Sequence, residues 1–163
     1  MTVGAADAEI GTATRSELDA CAALVAEHAS FDAYRITAQA LASALREGVD
    51  RGERVFRARV GLALVGMAWV VPRGAFARSP YLRLLVVAPE ASGTGIGSLL
   101  LEAVESWSFA RDEHLFLLVN RVNTRARGFY ARRGFVVVGQ LHDYVGPGLD
   151  ETIMRKRRPT ATA

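Results

Sequence analysis

Apolar positions along the chain recur first at helical spacing and then at alternating spacing, and the order of these changes sketches a fold. Leu18, Cys21, Ala22, Val25 and Ala29 share one face of a 3.6-residue period, which predicts a helix. Thr14-Arg15-Ser16-Glu17 before them has capping-box spacing, in which Thr14 and Glu17 satisfy each other's free N–H groups. Ala5 to Thr12 is a candidate first strand. A second helix is predicted from a Thr37 cap through Leu41 and Leu45, closed by Gly48. The period then falls to two, with Val55, Arg57 and Arg59 alternating with Phe56, Ala58 and Val60. After Gly61 comes the apolar run Ala63 to Val71, so the two segments predict an antiparallel hairpin ending at Pro72.

Arg73 to Pro80 is predicted as a loop, and Tyr81 to Ala88 as an apolar strand stopped by Pro89. Leu99, Leu100, Ala103, Val104 and Trp107 mark a third helix after a glycine-rich turn. Leu115 to Val119 is a continuous apolar run, as in a strand covered on both sides. Ala126, Phe129 and Tyr130 belong to a fourth helix stopping near Gly134, and Phe135 to Val138 and Thr152 to Met154 supply two last strands. The order β-α-α-β-β-β-α-β-α-β-β is α/β: a mixed sheet of about seven strands flanked by four helices. Trp69 and Trp107 read as core.

Composition narrows the function classes. The 163 residues suit one domain, 1–163, with a tail from about 157 expected to be disordered. The single cysteine, Cys21, has no internal disulfide partner. The N-terminal pattern is not that of a signal peptide, and no uncharged apolar run approaches about 18 residues, so a cytoplasmic location and no membrane are expected. The net charge is +3, and all basic residues but Lys156 are arginine, scattered except for Arg121 to Arg133 and Arg155 to Arg158. A nucleic-acid binder gathers its arginines on one face, so nucleic acid is not an expected partner.

The chemistry concentrates in two stretches. In Val86-Val87-Ala88-Pro89-Glu90-Ala91-Ser92-Gly93-Thr94-Gly95-Ile96-Gly97-Ser98, a buried strand runs into three alternating glycines and then a helix. Glycines let a ligand approach the backbone, and helix-start N–H groups carry positive partial charge, which suits a pyrophosphate. On the glycines alone a plain turn is an equal reading. The Gly-Lys-Ser/Thr ending of a Walker A loop is absent, and the spacing and late position do not fit a dinucleotide fingerprint. The second stretch is Asn123-Thr124-Arg125-Ala126-Arg127-Gly128-Phe129-Tyr130-Ala131-Arg132-Arg133-Gly134-Phe135.

Together the two stretches resemble the GCN5-related N-acetyltransferase (GNAT) superfamily. Its acetyl-CoA motif, Arg/Gln-x-x-Gly-x-Gly/Ala after a Val-x-Pro strand end, is followed by an Asn-x-x-Ala-x-x-Phe-Tyr-x-x-x-Gly-Phe pattern. The resemblance covers nearly the whole chain and implies acetyl transfer from acetyl-CoA to a primary amine of a small molecule or peptide, by direct attack in a ternary complex, without a metal. It implies that Leu85, Val86 and Val87 offer backbone groups to the pantetheine arm, with an N–H near Val86 or Val87 meeting the thioester oxyanion. The N–H groups of Gly93, Thr94, Gly95, Ile96, Gly97 and Ser98 would hold the pyrophosphate, and Asn123 would hydrogen-bond the cofactor. Tyr130 would be catalytic, its hydroxyl near the sulfur. A thiol titrates near 8.5 and tyrosine near 10, so Tyr130 is expected to act as a hydrogen-bond donor to the leaving thiolate. Arg125 and Arg132 either approach the 3′-phosphate or face water. A homodimer is a family-level expectation.

Two departures stand out. Ser92 occupies the motif's Arg/Gln position, and the strands 84–87 and 115–119 lack the glutamate base of many relatives. A lysine-like amine is neutral in only about one molecule in 2,500 at pH 7, against about one in six for an α-amine, so an acceptor of low pKa is the easier one. The alternative is a water chain or a loop side chain as base; His142, in the loop with Asp143 and Tyr144, is the best single candidate, with a solvated histidine as its plain alternative. Phe31, Tyr34 and Arg35 either border the acceptor pocket or pack under a loop. Two other readings stay open: a CoA-binding regulatory module, and an acetyltransferase acting on a nucleic-acid-linked amine.

Overall fold

A computed structural model describes residues 4–160. Seven strands form one sheet in the order β1-β2-β3-β4-β5-β7-β6. The strands are β1 (Ala8–Thr12), β2 (Arg54–Val60), β3 (Ala63–Ala75), β4 (Ser79–Val87), β5 (His114–Asn120), β6 (Val136–Leu141) and β7 (Glu151–Arg157). The helices are α1 (Leu18–Ala26), α2 (Ala38–Asp50), α3 (Ile96–Phe109) and α4 (Thr124–Arg132). The element order is the one that the periodicity predicts.

The expected caps form. Glu17 accepts from the Thr14 N–H at 2.7 Å, and Thr37 Oγ1 accepts from the Ala40 N–H at 3.2 Å. Several boundaries differ. Gly48 does not close α2; it lies buried inside it, where a Cβ would run into the Glu53 carboxylate, and the chain turns at Gly52 with φ +87°. Pro72 does not end β3, because the irregular pairing between Val71 and Ala75 leaves it outside the ladder. The predicted 73–80 loop therefore shrinks to a turn after Ala75, with Phe76 and Ala77 at positive φ. Ala29 begins a short 3-10 segment, Ala29–Tyr34, and does not extend α1. At the C-terminal end, Arg157 belongs to β7 and the Arg158 N–H donates to the Glu113 carbonyl at 2.7 Å, so residues 157 and 158, expected in a disordered tail, are tied to the sheet. Residues 161–163 lie outside the described residues.

Two apolar layers sandwich the sheet. One contains Leu18, Cys21 and Val25 of α1 with Leu41 and Leu45 of α2, against Met67 and Trp69. The other contains Leu100, Leu101 and Val104 of α3 and Tyr130 of α4, against Val65, Ala68 and Val70. Val65 is an extra residue in β3, since Ala58 pairs with Gly66 and Arg59 with Leu64; this bulge switches the alternation of faces. Trp107, read as core, packs at the margin, its ring flanked by the guanidinium groups of Arg111 and Arg54 at 4.0 and 6.0 Å.

The feature that positions the site is a split in the sheet. All neighbouring strands run antiparallel except β4 and β5, and these pair only at Tyr81–Phe116 and Leu82–Leu117. Beyond Leu82 the two strands diverge, so residues 83–87 have a strand neighbour, β3, on one side only. The two faces of β5 are not covered evenly: Leu115, Leu117 and Val119 are buried while Phe116 and Leu118 on the other face are half-exposed.

Candidate active site

Two cavities meet at this split. The smaller, about 410 Å³, is lined by Leu85, Val86 and Val87, by the glycine turn, and by Asn123, Arg125, Phe129, Tyr130 and Arg132. The larger, about 680 Å³, lies beside Tyr34, Tyr81, Arg83, Asn120, Tyr144 and Glu151. Leu85, Ala126 and Tyr130 line both, so a group at this wall is reachable from either side.

The turn between β4 and α3 is built to present donors. Gly93 and Gly95 hold φ +79° and +95°, which L side chains adopt only with strain. Among the described residues, the N–H groups of Gly93 to Gly97 have no hydrogen-bond partner, whereas the Ser98 N–H donates to the Gly95 carbonyl at 3.0 Å. Ser98 thus has only its side chain to offer, unlike the backbone role expected of it. Thr94 and Ile96 do not line the cavity either: the Thr94 hydroxyl donates to the Ala91 carbonyl at 2.6 Å, and Ile96 is core. Gly97 is different again. Its φ is ordinary and an added Cβ would meet nothing closer than 3.5 Å, so neither conformation nor packing requires glycine there. A glycine facing a cavity without an internal reason suits close approach by a ligand.

The cavity fits a phosphate-bearing cofactor on these observations. Arg125 strengthens the fit. Its guanidinium donates to Ser92 Oγ at 2.6 Å and has no carboxylate partner among the described residues. It also sits in the first turn of α4, where the helix dipole disfavours a cation. Ser92, the departure from the motif, therefore places an arginine from another element over the same turn. Asn123 lines both cavities, but its Oδ1 caps α4 by accepting from the Ala126 N–H at 3.0 Å. Only its amide N–H₂ remains for a ligand.

Tyr130 is buried between Phe129 and Phe135, with ring centres at 5.2 and 5.6 Å. Burial raises its pKa, so the hydroxyl stays a donor. Phe31, Tyr34 and Arg35 do line the larger cavity. His142 does not: its side chain is 73% exposed and faces Asp150 at 3.4 Å. Of its loop, Tyr144 reaches the cavity.

The group that the sequence reading missed is Glu151. It is only 4% exposed, at the start of β7 opposite Asn120, and its side chain lines the larger cavity. Tyr34 donates to its Oε1 at 2.5 Å, and Asn120 Nδ2 donates to the Tyr34 hydroxyl at 3.2 Å. Burial raises the Glu151 pKa, the Tyr34 bond partly opposing it. Burial and the bond to Glu151 push Tyr34 up to about 12. A buried carboxylate without a cation partner among the described residues, next to a cavity, is suited to hold an ammonium or take its proton. Periodicity reports the apolar face of β7 and gives no sign that its first residue turns a carboxylate into the cleft.

A model of the acetyltransferase (GNAT) domain matches residues 16–158. An uncharacterized N-acetyltransferase of Methanocaldococcus jannaschii is 37% identical over 79 residues, 47% of this chain and 51% of that protein. The chain spans about half the length, or less, of the curated relatives it matches. Among solved structures, the ribosomal-protein-alanine N-acetyltransferase of Brucella melitensis superposes with a TM-score of 0.77 at 23% identity, covering 92% of this chain and 99% of that one. The spermidine N-acetyltransferase of Vibrio cholerae, in complex with CoA and spermine, gives 0.76 at 20% identity over 93% and 96%. The fold is thus shared with this group.

Proposed function

The chain belongs to the acetyltransferase (GNAT) family, and on that premise we propose that it transfers the acetyl group of acetyl-CoA to a primary amine, both held at once across the shared wall of the two cavities. The observation that carries this reading is that Tyr130 and Glu151 line one cavity: a buried hydroxyl donor on the wall common to both cavities and a buried carboxylate in the larger one. Bound in the smaller cavity, acetyl-CoA supplies the thioester whose acetyl group passes to the amine and whose thiol leaves.

The unpaired amides of Gly93, Gly95 and Gly97 and the Arg125 guanidinium hold the phosphates. The free edge of β4 at Leu85 to Val87 lies alongside the pantetheine arm, and a backbone N–H there meets the developing oxyanion. Glu151 takes a proton from the incoming ammonium, which frees the nitrogen lone pair for attack. Its raised pKa makes it a stronger base than an exposed carboxylate. Tyr130 donates a hydrogen bond to the departing sulfur, which leaves as a thiolate and takes up the second proton released by the acylated nitrogen, so that Tyr130 keeps its own. Glu151 serves where the strands 84–87 and 115–119 carry no acid, which lifts the restriction to amines of low pKa.

The same reading places the protein in the cytoplasm, in keeping with the free buried Cys21. It also includes a homodimer, supported by the half-exposed Val136, Val137 and Val138 of the sheet-edge strand β6. The test is thiol release from acetyl-CoA over a broad panel of amines, preceded by calorimetric titration of acetyl-CoA. Binding without release for every amine would leave a CoA-binding module and overturn the enzyme reading.

A further inference from the structure

The amine site proposed above carries a charge pattern that speaks to the acceptor's chemistry, and the inference rests on that reading. Apart from tyrosines, the ionisable side chains lining the larger cavity are Glu151, Arg35 and Arg83. None of the three has an ion-pair partner among the described residues. The cavity therefore presents one negative charge, buried, and two positive charges at its exposed rim.

Arg83 is not a loose surface arginine. Its guanidinium lies over the Trp69 ring, 4.3 Å from the centroid, and the Trp69 indole is anchored by donating to Glu53 Oε2 at 2.8 Å. Stacking through its face leaves the edge of the guanidinium, with its fork of N–H donors, available to an oxyanion. Arg35 is fixed differently. It occupies a left-handed conformation, φ 51°, with its N–H donating to the Asp32 carbonyl at 3.2 Å, a geometry that favours glycine or asparagine over arginine. An arginine kept at such a position, on the wall of a cavity, points to a use for its charge.

We propose that the acceptor is a small amine that also bears an anionic group, a carboxylate or a phosphate. Its ammonium end is taken by Glu151, and its anionic end by Arg83 with Arg35. A linear polyamine fits poorly: its second and third ammonium groups would approach two guanidinium groups with no further carboxylate to receive them. An uncharged alkylamine gains the Glu151 contact alone. Tyr81, pushed up to about 12 by burial, stays neutral and does not alter this balance.

The test compares four acceptors of matched length with the full chain and saturating acetyl-CoA: an aminoalkyl carboxylate, an aminoalkyl phosphate, a plain alkylamine and a linear triamine. The expected order places one or both anionic acceptors about tenfold or more above the alkylamine in kcat/KM, the scale of one charge-assisted contact. Which of the two leads assigns the source of the oxyanion. Arg83→Gln is expected to erase that preference through KM, with acetyl-CoA titration confirming that the variant is folded. A wild type that prefers the triamine or the alkylamine overturns the inference while leaving amine acetylation standing. So does an Arg83→Gln variant that lowers all four acceptors alike. Failure of acetyl-CoA to bind, or of any amine to react, removes the function itself and this inference with it.

Discussion

Tyr34 and Glu151, 117 residues apart in sequence, are joined by a 2.5 Å hydrogen bond in which the phenol donates to the carboxylate. The bond lowers the Glu151 pKa against a burial effect that raises it. Replacing Tyr34 by Phe removes the lowering contribution alone. The acidic limb of the kcat/KM profile is therefore expected to move to higher pH. A profile unchanged in Tyr34→Phe would mean that Glu151 is not the group titrating.

Glu151→Gln keeps the shape and the acceptor for Tyr34 but removes the proposed base. Loss of a general base costs about 10²- to 10⁴-fold, so kcat/KM should fall by that order and lose its acidic limb. Stability should move the other way. The folded-state pKa of Glu151 lies above its unfolded value, so the ionised group destabilises the fold at high pH, and this effect disappears below the unfolded pKa of about 4.3. Thermal unfolding against pH should show the variant above the parent near neutrality and the two converging as pH falls.

Arg125 stands over the glycine turn from a helix end that disfavours it. Arg125→Ala should weaken CoA binding by roughly 10- to 100-fold, as loss of a charge-assisted phosphate contact does, and far less for pantetheine, which lacks the phosphates. Adding Ser92→Arg to that variant should restore part of the affinity. Equal weakening for CoA and pantetheine, read by calorimetry, would place Arg125 away from the phosphates.

Gly97→Leu separates folding from binding. The position has an ordinary φ, and an added Cβ would meet Val87 at 3.5 Å and nothing closer, so the variant should keep its melting temperature within a few degrees and lose acetyl-CoA binding. Binding retained at parental affinity would mean that no ligand approaches this backbone.

Tyr130→Phe should leave acetyl-CoA affinity nearly unchanged and lower kcat by roughly 10- to 100-fold, the scale of a hydrogen bond to a developing thiolate. Because burial raises the Tyr130 pKa, its loss should not abolish a basic limb between pH 7 and 9. Single-turnover kinetics would separate the chemical step from release.

Most of the fold was legible because it is written in periodicity: seven strands and four helices follow from where apolar residues recur at spacings of two or 3.6. The boundaries that moved did so for tertiary reasons. Gly48 reads as a helix stop until Glu53 and Trp69 are seen to need its missing Cβ, and Pro72 reads as a strand end until irregular pairing frees it from the ladder. In the candidate site, the glycine turn and Tyr130 lie within contiguous motifs, which is why the family resemblance points to them. It does not point to Glu151, since its role depends on Tyr34 and Asn120 arriving from two other segments. His142 shows the converse: a base-like residue in the expected loop whose side chain turns outward to Asp150.

The seam between β4 and β5 has a mechanical consequence. Two paired positions, Tyr81–Phe116 and Leu82–Leu117, are all the ladder that ties the four-stranded N-terminal half of the sheet to the three-stranded C-terminal half. Hydrogen bonding across the rest of that junction falls to whatever lies in the gap. A strand-like ligand seated there becomes a structural member, riveting two panels that otherwise share a short hinge. Amide exchange should then slow on both sides of the seam when the gap is filled, including in β7, whose backbone the ligand does not touch. On the proposed reading, cofactor binding and cooperative unfolding would be coupled through this seam.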